Sequence, residues 1–234
     1  MIKKQNYLKH AIVLFLLLLL MQPERAWAAY ENVEFSSLTN HDGLTNSQVG
    51  AILKDTRGYI WFGTQSGLCR FDGFRMKTFY YINTDDKSLP NNSVDELQQD
   101  YGGNIWVHTS VGYCIYKYDE EQFERKPEEW LKNIHVQGPP YKLLIDKDKN
   151  MWIAVYGQGL YYHNAKTKNT YLFKFTKKAQ PGCLKEGNIS KITEVDGDAL
   201  ITYNDGTICR VNGQKQKVLW YNSFLATHKA AGDN

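Results

Sequence analysis

A seventeen-residue stretch, DTRGYIWFGTQSGLCRF at 55–71, recurs along the chain. It returns as DYGGNIWVHTSVGYCIY at 100–116, as DKDKNMWIAVYGQGLYY at 146–162, and in worn form as EVDGDALITYNDGTICR at 194–210. In the first three copies an Asp stands six residues before a Trp, and a Gly follows six or seven residues after it. Trp61 to Trp106 is 45 residues, Trp106 to Trp152 is 46, and Trp152 to Leu200, the fourth copy's equivalent, is 48. A period of this size belongs to repeat architectures in which each unit is one small supersecondary structure.

One copy reads as four short strands. Residues 49–54 are β-compatible, and Asp55-Thr56-Arg57-Gly58 is a turn, with Gly for the positive-φ position. An aromatic-rich run, 59–64, precedes a tight turn at 65–67. A third run, 68–71, leads into Asp72-Gly73, a hairpin signal, and then 74–81. Four antiparallel strands per repeat of about 45 residues match a β-propeller blade. The expected fold is therefore all-β, with about four blades at 44–88, 89–128, 136–178 and 185–221. Segment 29–43 precedes them as an N-terminal strand segment, with a strand expected near 35–38; 223–234 is an irregular tail. Between blades two and three, Pro127-Glu128-Glu129 followed by apolar residues predicts a helical turn. Because a blade needs a neighbour on each side, four blades with a worn last copy and an odd tail suggest an incomplete ring, the N-terminal part of a longer or truncated one.

Residues 1–28 have the pattern of an export signal. Lys3, Lys4 and Lys9 precede eleven apolar residues at 11–21, and Ala26-Trp27-Ala28 is a small-x-small cleavage pattern. The apolar run is shorter than the ~20 residues that span a bilayer, and no second span follows, so a periplasmic protein cleaved after about Ala28 is expected. That segment, with four cations against one acid, carries the whole net charge of +3. A neutral remainder argues against nucleic-acid binding, which needs a basic stripe.

The repeat positions of Trp61, Trp106 and Trp152, and of Gly67, Gly112 and Gly159, mark them as structural anchors. Cys69 and Cys114 share one frame position in successive blades, roughly 10 Å apart, too far for a disulfide. Asp146-Lys147-Asp148 opens like a calcium loop but has Met151 where Gly is needed and Gly157 where a bidentate Glu is needed. No metal site, cofactor or catalytic residue is assigned, and no pair of carboxylates stands out for glycoside hydrolysis. In a four-stranded blade the second-to-third-strand turns and the inter-blade connections share one end. That end gathers Asn46, Gln65, Asn91, Asn92, Ser110, Tyr156 and Gln158, whose amides, hydroxyl and aromatic face suit neutral polyols and sugars.

The residues Gly58-Tyr59-Ile60-Trp61-Phe62-Gly63-Thr64, Ser66-Gly67-Leu68 and Phe71-Asp72-Gly73, with the lead-in 41–49, resemble the two-component regulator propeller repeat. Later copies depart from it: Val107-His108 replaces Phe-Gly, and Ala154-Val155 replaces Gly-Thr. The resemblance covers about 35–222. It implies the extracytoplasmic sensor region of a hybrid two-component regulator of gut bacteria, detecting carbohydrate breakdown products, with an oligosaccharide as ligand. Kinase, receiver and DNA-binding parts would lie in other sequence, and this chain itself would be no enzyme. Further blades, or self-association, would cover blade four. The alternatives are an exported propeller enzyme, of polysaccharide lyase or glycoside hydrolase type, and a stand-alone binding scaffold or gene remnant.

Overall fold

A computed structural model describes residues 37–177 and 183–222. The expected export segment, its cleavage point and the tail lie outside them, as do residues 35 and 36 of the expected strand near 35–38; Ser37 and Leu38 are not in a strand. Thr39 caps a short 3₁₀ turn, Asn40–Asp42, through a reciprocal capping box.

Four antiparallel sheets follow in chain order. Blade one is β1 (Val49–Lys54), β2 (Ile60–Thr64), β3 (Gly67–Phe71) and β4 (Met76–Phe79). Blade two is β5 (Val94–Gln99), β6 (Ile105–Thr109), β7 (Gly112–Lys117) and β8 (Gln122–Glu124). Blade three is β9 (Pro140–Ile145), β10 (Met151–Val155), β11 (Gly159–His163) and β12 (Thr170–Thr176). A fifth strand, β13 (Leu184–Lys185), pairs in parallel with β12, an addition that the four-strand frame does not contain. Blade four is β14 (Ile189–Val195), β15 (Asp198–Tyr203), β16 (Ile208–Asn212) and β17 (Lys217–Asn222). The expected helical turn is α1 (Pro127–Leu131), with Pro at its start, continued by a 3₁₀ turn.

The repeat Asp explains the frame. In blade one, Asp55 Oδ1 accepts from the backbone N–H groups of Arg57 (2.9 Å) and Tyr59 (3.0 Å), closing the β1–β2 turn. Its Oδ2 accepts the Trp61 indole Nε1–H at 2.7 Å and the Tyr118 hydroxyl of blade two. Asp100 repeats this: Oδ1 takes the N–H groups of Gly102 and Asn104, and Oδ2 takes the Trp106 indole at 3.0 Å. Asp146 takes the N–H groups of Asp148 and Asn150, the Asn150 side-chain amide and the Trp152 indole. The calcium-like opening of that turn is thus consumed by internal hydrogen bonds. In blade four the device is gone. Glu194 accepts instead from Lys147 N of blade three (2.9 Å), and Asp198 binds Arg210 Nε (2.6 Å) and Asn212.

The clamp sets which face each Trp presents. Trp61, Trp106 and Trp152 are at most 1% exposed, and each is turned toward the next blade. Trp61 packs on Tyr116 and Tyr118 of blade two. Trp106 meets Trp130 of α1 edge-on and joins the cluster containing Met151 and Ile153 of blade three. Trp152 joins Ala199, Ile201 and Cys209 of blade four. Burying an indole removes roughly 200 Å² from water, about 5 kcal/mol before entropy is counted. Leu200 occupies the Trp position in blade four. The row across that face is Thr193, Leu200, Arg210 and Trp220, and Trp220 is 44% exposed.

Turn glycines hold the other end. Gly159 has φ +148°, and an added Cβ would lie 2.1 Å from the Phe173 carbonyl oxygen. Thr64 and Thr109 hydroxyls donate to Gly67 O and Gly112 O across the β2–β3 and β6–β7 turns. The four cysteines are free. Among the described residues no three His, Cys, Asp or Glu gather as a metal site, and no helix is long and apolar enough to cross a membrane.

Near α1 a buried histidine ties blade three to the inter-blade segment. Thr170 Oγ1 donates to Ile134 O (2.6 Å), so it accepts from His163 Nδ1 (2.9 Å). His163 Nε2 is then a buried acceptor without a partner. Burial, with Lys168 and His135 nearby, lowers the His163 pKa.

Two outcomes follow from this packing. Asp100→Ala strands two backbone N–H groups and one indole, and should cost about 2–4 kcal/mol, read as a lowered urea midpoint; a loss below about 0.5 kcal/mol would contradict the clamp. The second concerns acid. Above the unfolded histidine pKa of about 6.5, both states hold His163 neutral and stability is full. As pH falls below that value, the unfolded chain binds a proton that the folded chain refuses, and stability is lost until the lowered folded pKa is reached. His163→Gln should flatten the fall in urea midpoint as pH drops below about 6.5; an unchanged slope would contradict the assignment.

Candidate functional site

The inner strand of every blade carries a bulge at the same place. The register slips between Val49 and Ala51, between Val94 and Glu96, opposite the Ala154/Val155 step, and between Ile189 and Lys191. The extra residues are Gly50, Asp95, Tyr141 and Ser190. A bulge bends the strand and re-aims the side chain it carries. Gly50 is small because an added Cβ would come within 3.1 Å of Val94 O on the neighbouring inner strand.

The row beside the bulge runs across each sheet toward the next blade. In blade one it is Ala51, Gly63 and Leu68, and in blade three Lys142, Ala154 and Leu160. In blade two it is Glu96, His108 and Tyr113. Gly63 has no room for a side chain, since a Cβ would lie 2.6 Å from Val94 Cγ1. Blade two puts an imidazole at the matching place, and a cleft of about 470 Å³ lies between blades two and three.

Its polar wall is ordered. His108 Nδ1 sits 2.5 Å from Asp95 Oδ1. A neutral imidazole that donates from Nδ1 to the Asp95 carboxylate keeps Nε2 as an acceptor. The His108 ring lies 4.4 Å from that of Tyr113. The Tyr113 hydroxyl donates to Glu96 Oε2 (2.8 Å) and accepts from Leu143 N of blade three (3.2 Å). Burial and the Glu96 charge push the Tyr113 phenol well above its ordinary range. Lys142 pairs with Glu96 at 3.7 Å.

The opposite wall is aromatic. Tyr141, the bulge residue of blade three, stacks on Tyr156 with ring centroids 3.9 Å apart and planes 17° from parallel. The Tyr141 hydroxyl accepts from Ile189 N of blade four (3.4 Å), which steadies the ring. Tyr156 is 65% exposed and lines the cleft. Arg125 and Glu128 border its outer side. Arg125 Nε and Nη2 are spent on carbonyls of the blade one to blade two connection, at Asp85, Ser88 and Leu89 among others.

The residues assigned from sequence to this end occupy distinct places. Asn46 Oδ1 accepts from Gln48 N, and its amide donates to Ser66. Asn91 Oδ1 accepts from Ser93 N, and Asn92 Oδ1 accepts from Tyr81 N. Gln65 Oε1 accepts from Ser93 Oγ, joining the blade-one turn to the inter-blade connection. Ser110 N donates to Ser93 O. Gln158 donates to Gln137 O and accepts from Tyr161. Of the seven, Tyr156 lines the cleft. His108, Tyr113, Tyr141, Arg125 and Glu128 were not selected from sequence. Aligning the copies held the signal, because His108 falls where the frame has Gly63 and Tyr141 falls where it has Gly50.

Residues 43–66 match the model of the two-component regulator propeller. A histidine kinase of Formosa agariphila is 41% identical over 61 residues, 26% of this chain and 4% of the kinase. The extracellular domain of a B. thetaiotaomicron protein described as a hybrid two-component system superposes with a TM-score of 0.55 at 23% identity, over 78% of this chain and 26% of that one. PorZ, a surface component of the type-IX secretion system of Porphyromonas gingivalis, superposes at 0.50 with 12% identity, over 77% of this chain and 23% of its own. This chain thus spans about a quarter of the solved domains it resembles and a small fraction of the kinase. The stretch around Trp61 is a two-component regulator propeller repeat, set in an all-β fold of antiparallel blades.

Proposed function

We propose that this chain is an extracytoplasmic sensor module of a two-component regulator, exported to the periplasm by residues 1–28, and that it detects carbohydrate. The repeat at 43–66 and the likeness to extracellular domains of such systems support the sensor role. The observation that carries the ligand site is the placement of His108 and Tyr113, where blade one has Gly63 and Leu68, in one cleft with the stacked Tyr141–Tyr156 pair.

The chemistry suits a saccharide. The exposed Tyr156 face offers a flat apolar platform to the C–H side of a sugar ring. His108 Nε2, oriented through Asp95, offers an acceptor to a ring hydroxyl, and Glu128 offers a carboxylate at the rim. Asn46, Gln65, Asn91, Asn92, Ser110 and Gln158 shape the loops of the same end and give an oligosaccharide longer than the cleft further partners. Glu128 lines the cleft, while Asp95 and Glu96 are engaged by His108 and Tyr113; two-carboxylate glycoside hydrolysis needs a facing pair at a set separation. Binding without turnover is the reading that fits these walls. Signal output then belongs to a kinase elsewhere in the system.

Isothermal titration of the purified protein against a panel of plant and host-glycan oligosaccharides tests this. Tyr156→Ala and His108→Ala should each weaken binding of the responding sugar by about tenfold, near 1.4 kcal/mol, with the fold retained by circular dichroism. Full affinity in both variants would exclude this cleft as the sensor site.

A further inference from the structure

A second cleft, of about 330 Å³, lies at the opposite end of blades three and four. It is formed by the third-to-fourth-strand turns, 164–169 of blade three and 213–216 of blade four. Its floor is built by close contact. Gly213 is buried, and an added Cβ would lie 2.5 Å from Tyr162 ring carbons, so the ring lies directly against the glycine backbone. Asn164 Nδ2 donates to the Tyr162 hydroxyl (3.2 Å). That phenol is therefore held as an acceptor on one side, with its own proton free to donate on the other. The blade-four turn is held by Gln216, whose φ is +52° and whose N–H bonds Gly213 O (3.2 Å).

The lining is chemically selective. It contains Tyr162, Tyr171, Asn169, Gln214 and Gln216 with Asn164, Thr167 and Gly213, none of them charged; Lys166, Lys168 and Lys215 of the same turns do not line it. Carboxamides both donate and accept, as hydroxyls do, and so pair with a polyol in either sense. Two phenol rings add apolar faces. An anion or cation would enter without a counter-charge from the walls, losing hydration with no ion pair in return. The volume is at the lower end of small-molecule clefts, which run roughly 300–1,000 Å³. We infer that this cleft is a second binding site, for a neutral polyhydroxylated ring such as a single unit of an uncharged saccharide. It stands on its own lining and does not depend on the cleft between blades two and three.

The test uses the whole purified protein labelled with 3-fluorotyrosine, with Tyr156, Tyr162 and Tyr171 assigned by single Tyr→Phe variants. The probes are glucose, galactose, mannose and xylose, with galacturonate as the charged counterpart. At least one neutral sugar should shift the Tyr162 or Tyr171 resonance saturably, and galacturonate should bind about fivefold or more weaker, near 1 kcal/mol. The exposed double variant Gln214→Ala/Gln216→Ala should abolish that shift, while Tyr156→Ala leaves it intact. The inference is overturned if none of the four neutral sugars gives a saturable shift at these tyrosines, if galacturonate binds as well, or if the shift survives the glutamine variant. Movement of the Tyr156 resonance alone would support the first cleft and overturn this one.

Discussion

One carboxylate with two oxygens organises each of the first three blades. Oδ1 gathers two backbone N–H groups and closes the turn; Oδ2 reaches across the hairpin and takes the indole of the Trp six residues on. Leaving any of those donors unmet in the interior costs about 1–3 kcal/mol. Turn geometry and indole orientation are therefore satisfied together or not at all. A fixed indole means a fixed face, and that face has to meet a complementary sheet. The order of blades in space follows from a local hydrogen bond repeated at a period of about 45 residues. Blade four, which has lost the pair, uses Asp198 to hold Arg210 and Asn212 and shows Leu200 and Trp220 on the corresponding face.

The candidate site arises where that repetition is relaxed. Close packing of neighbouring inner strands calls for Gly50 and Gly63 in blade one. Blade two carries Asp95 and His108 at the same two places, and blade three carries Tyr141 at the bulge. Large or polar side chains there hold the blades apart locally, and the opened space is lined by the groups that opened it. Away from its lining, Glu96 and Lys142 pair between the same two blades, so neither charge is left isolated. The same scaffold thus packs the inner strands of blades one and two closely together and opens a cleft between blades two and three.

Much of the fold was legible because turn chemistry and aromatic spacing are local signals. The Asp–Trp–Gly frame marked the hairpins, and Pro127-Glu128-Glu129 marked α1. The parallel strand β13 was not legible, since two residues that join a sheet edge after a long loop leave no pattern. Phe74, Tyr80 and Tyr81 read as part of a strand, yet β4 is only Met76–Phe79 and Phe74 is 95% exposed. Aromatic content there reflects a surface, which period and propensity do not distinguish from a strand. At the candidate site, Tyr156 was visible as a turn aromatic. Its partners were hidden because a bulge shifts one residue out of alternation, so Asp95 and Tyr141 fall on neither face of a regular strand. Asn46, Asn91 and Asn92 are residues where turns and polyols call on the same side-chain amides: each Oδ1 accepts a backbone N–H of the surrounding loops.

Hydrogen exchange of the tryptophan indole N–H groups, followed by NMR on ¹⁵N-labelled protein, tests the carboxylate–indole pairing most directly. The N–H protons of Trp61, Trp106 and Trp152 should exchange far more slowly than that of Trp220, and each should move downfield as a charge-assisted donor. Exchange of the three as fast as Trp220 under native conditions would contradict the pairing, and with it the account of how the blades are set.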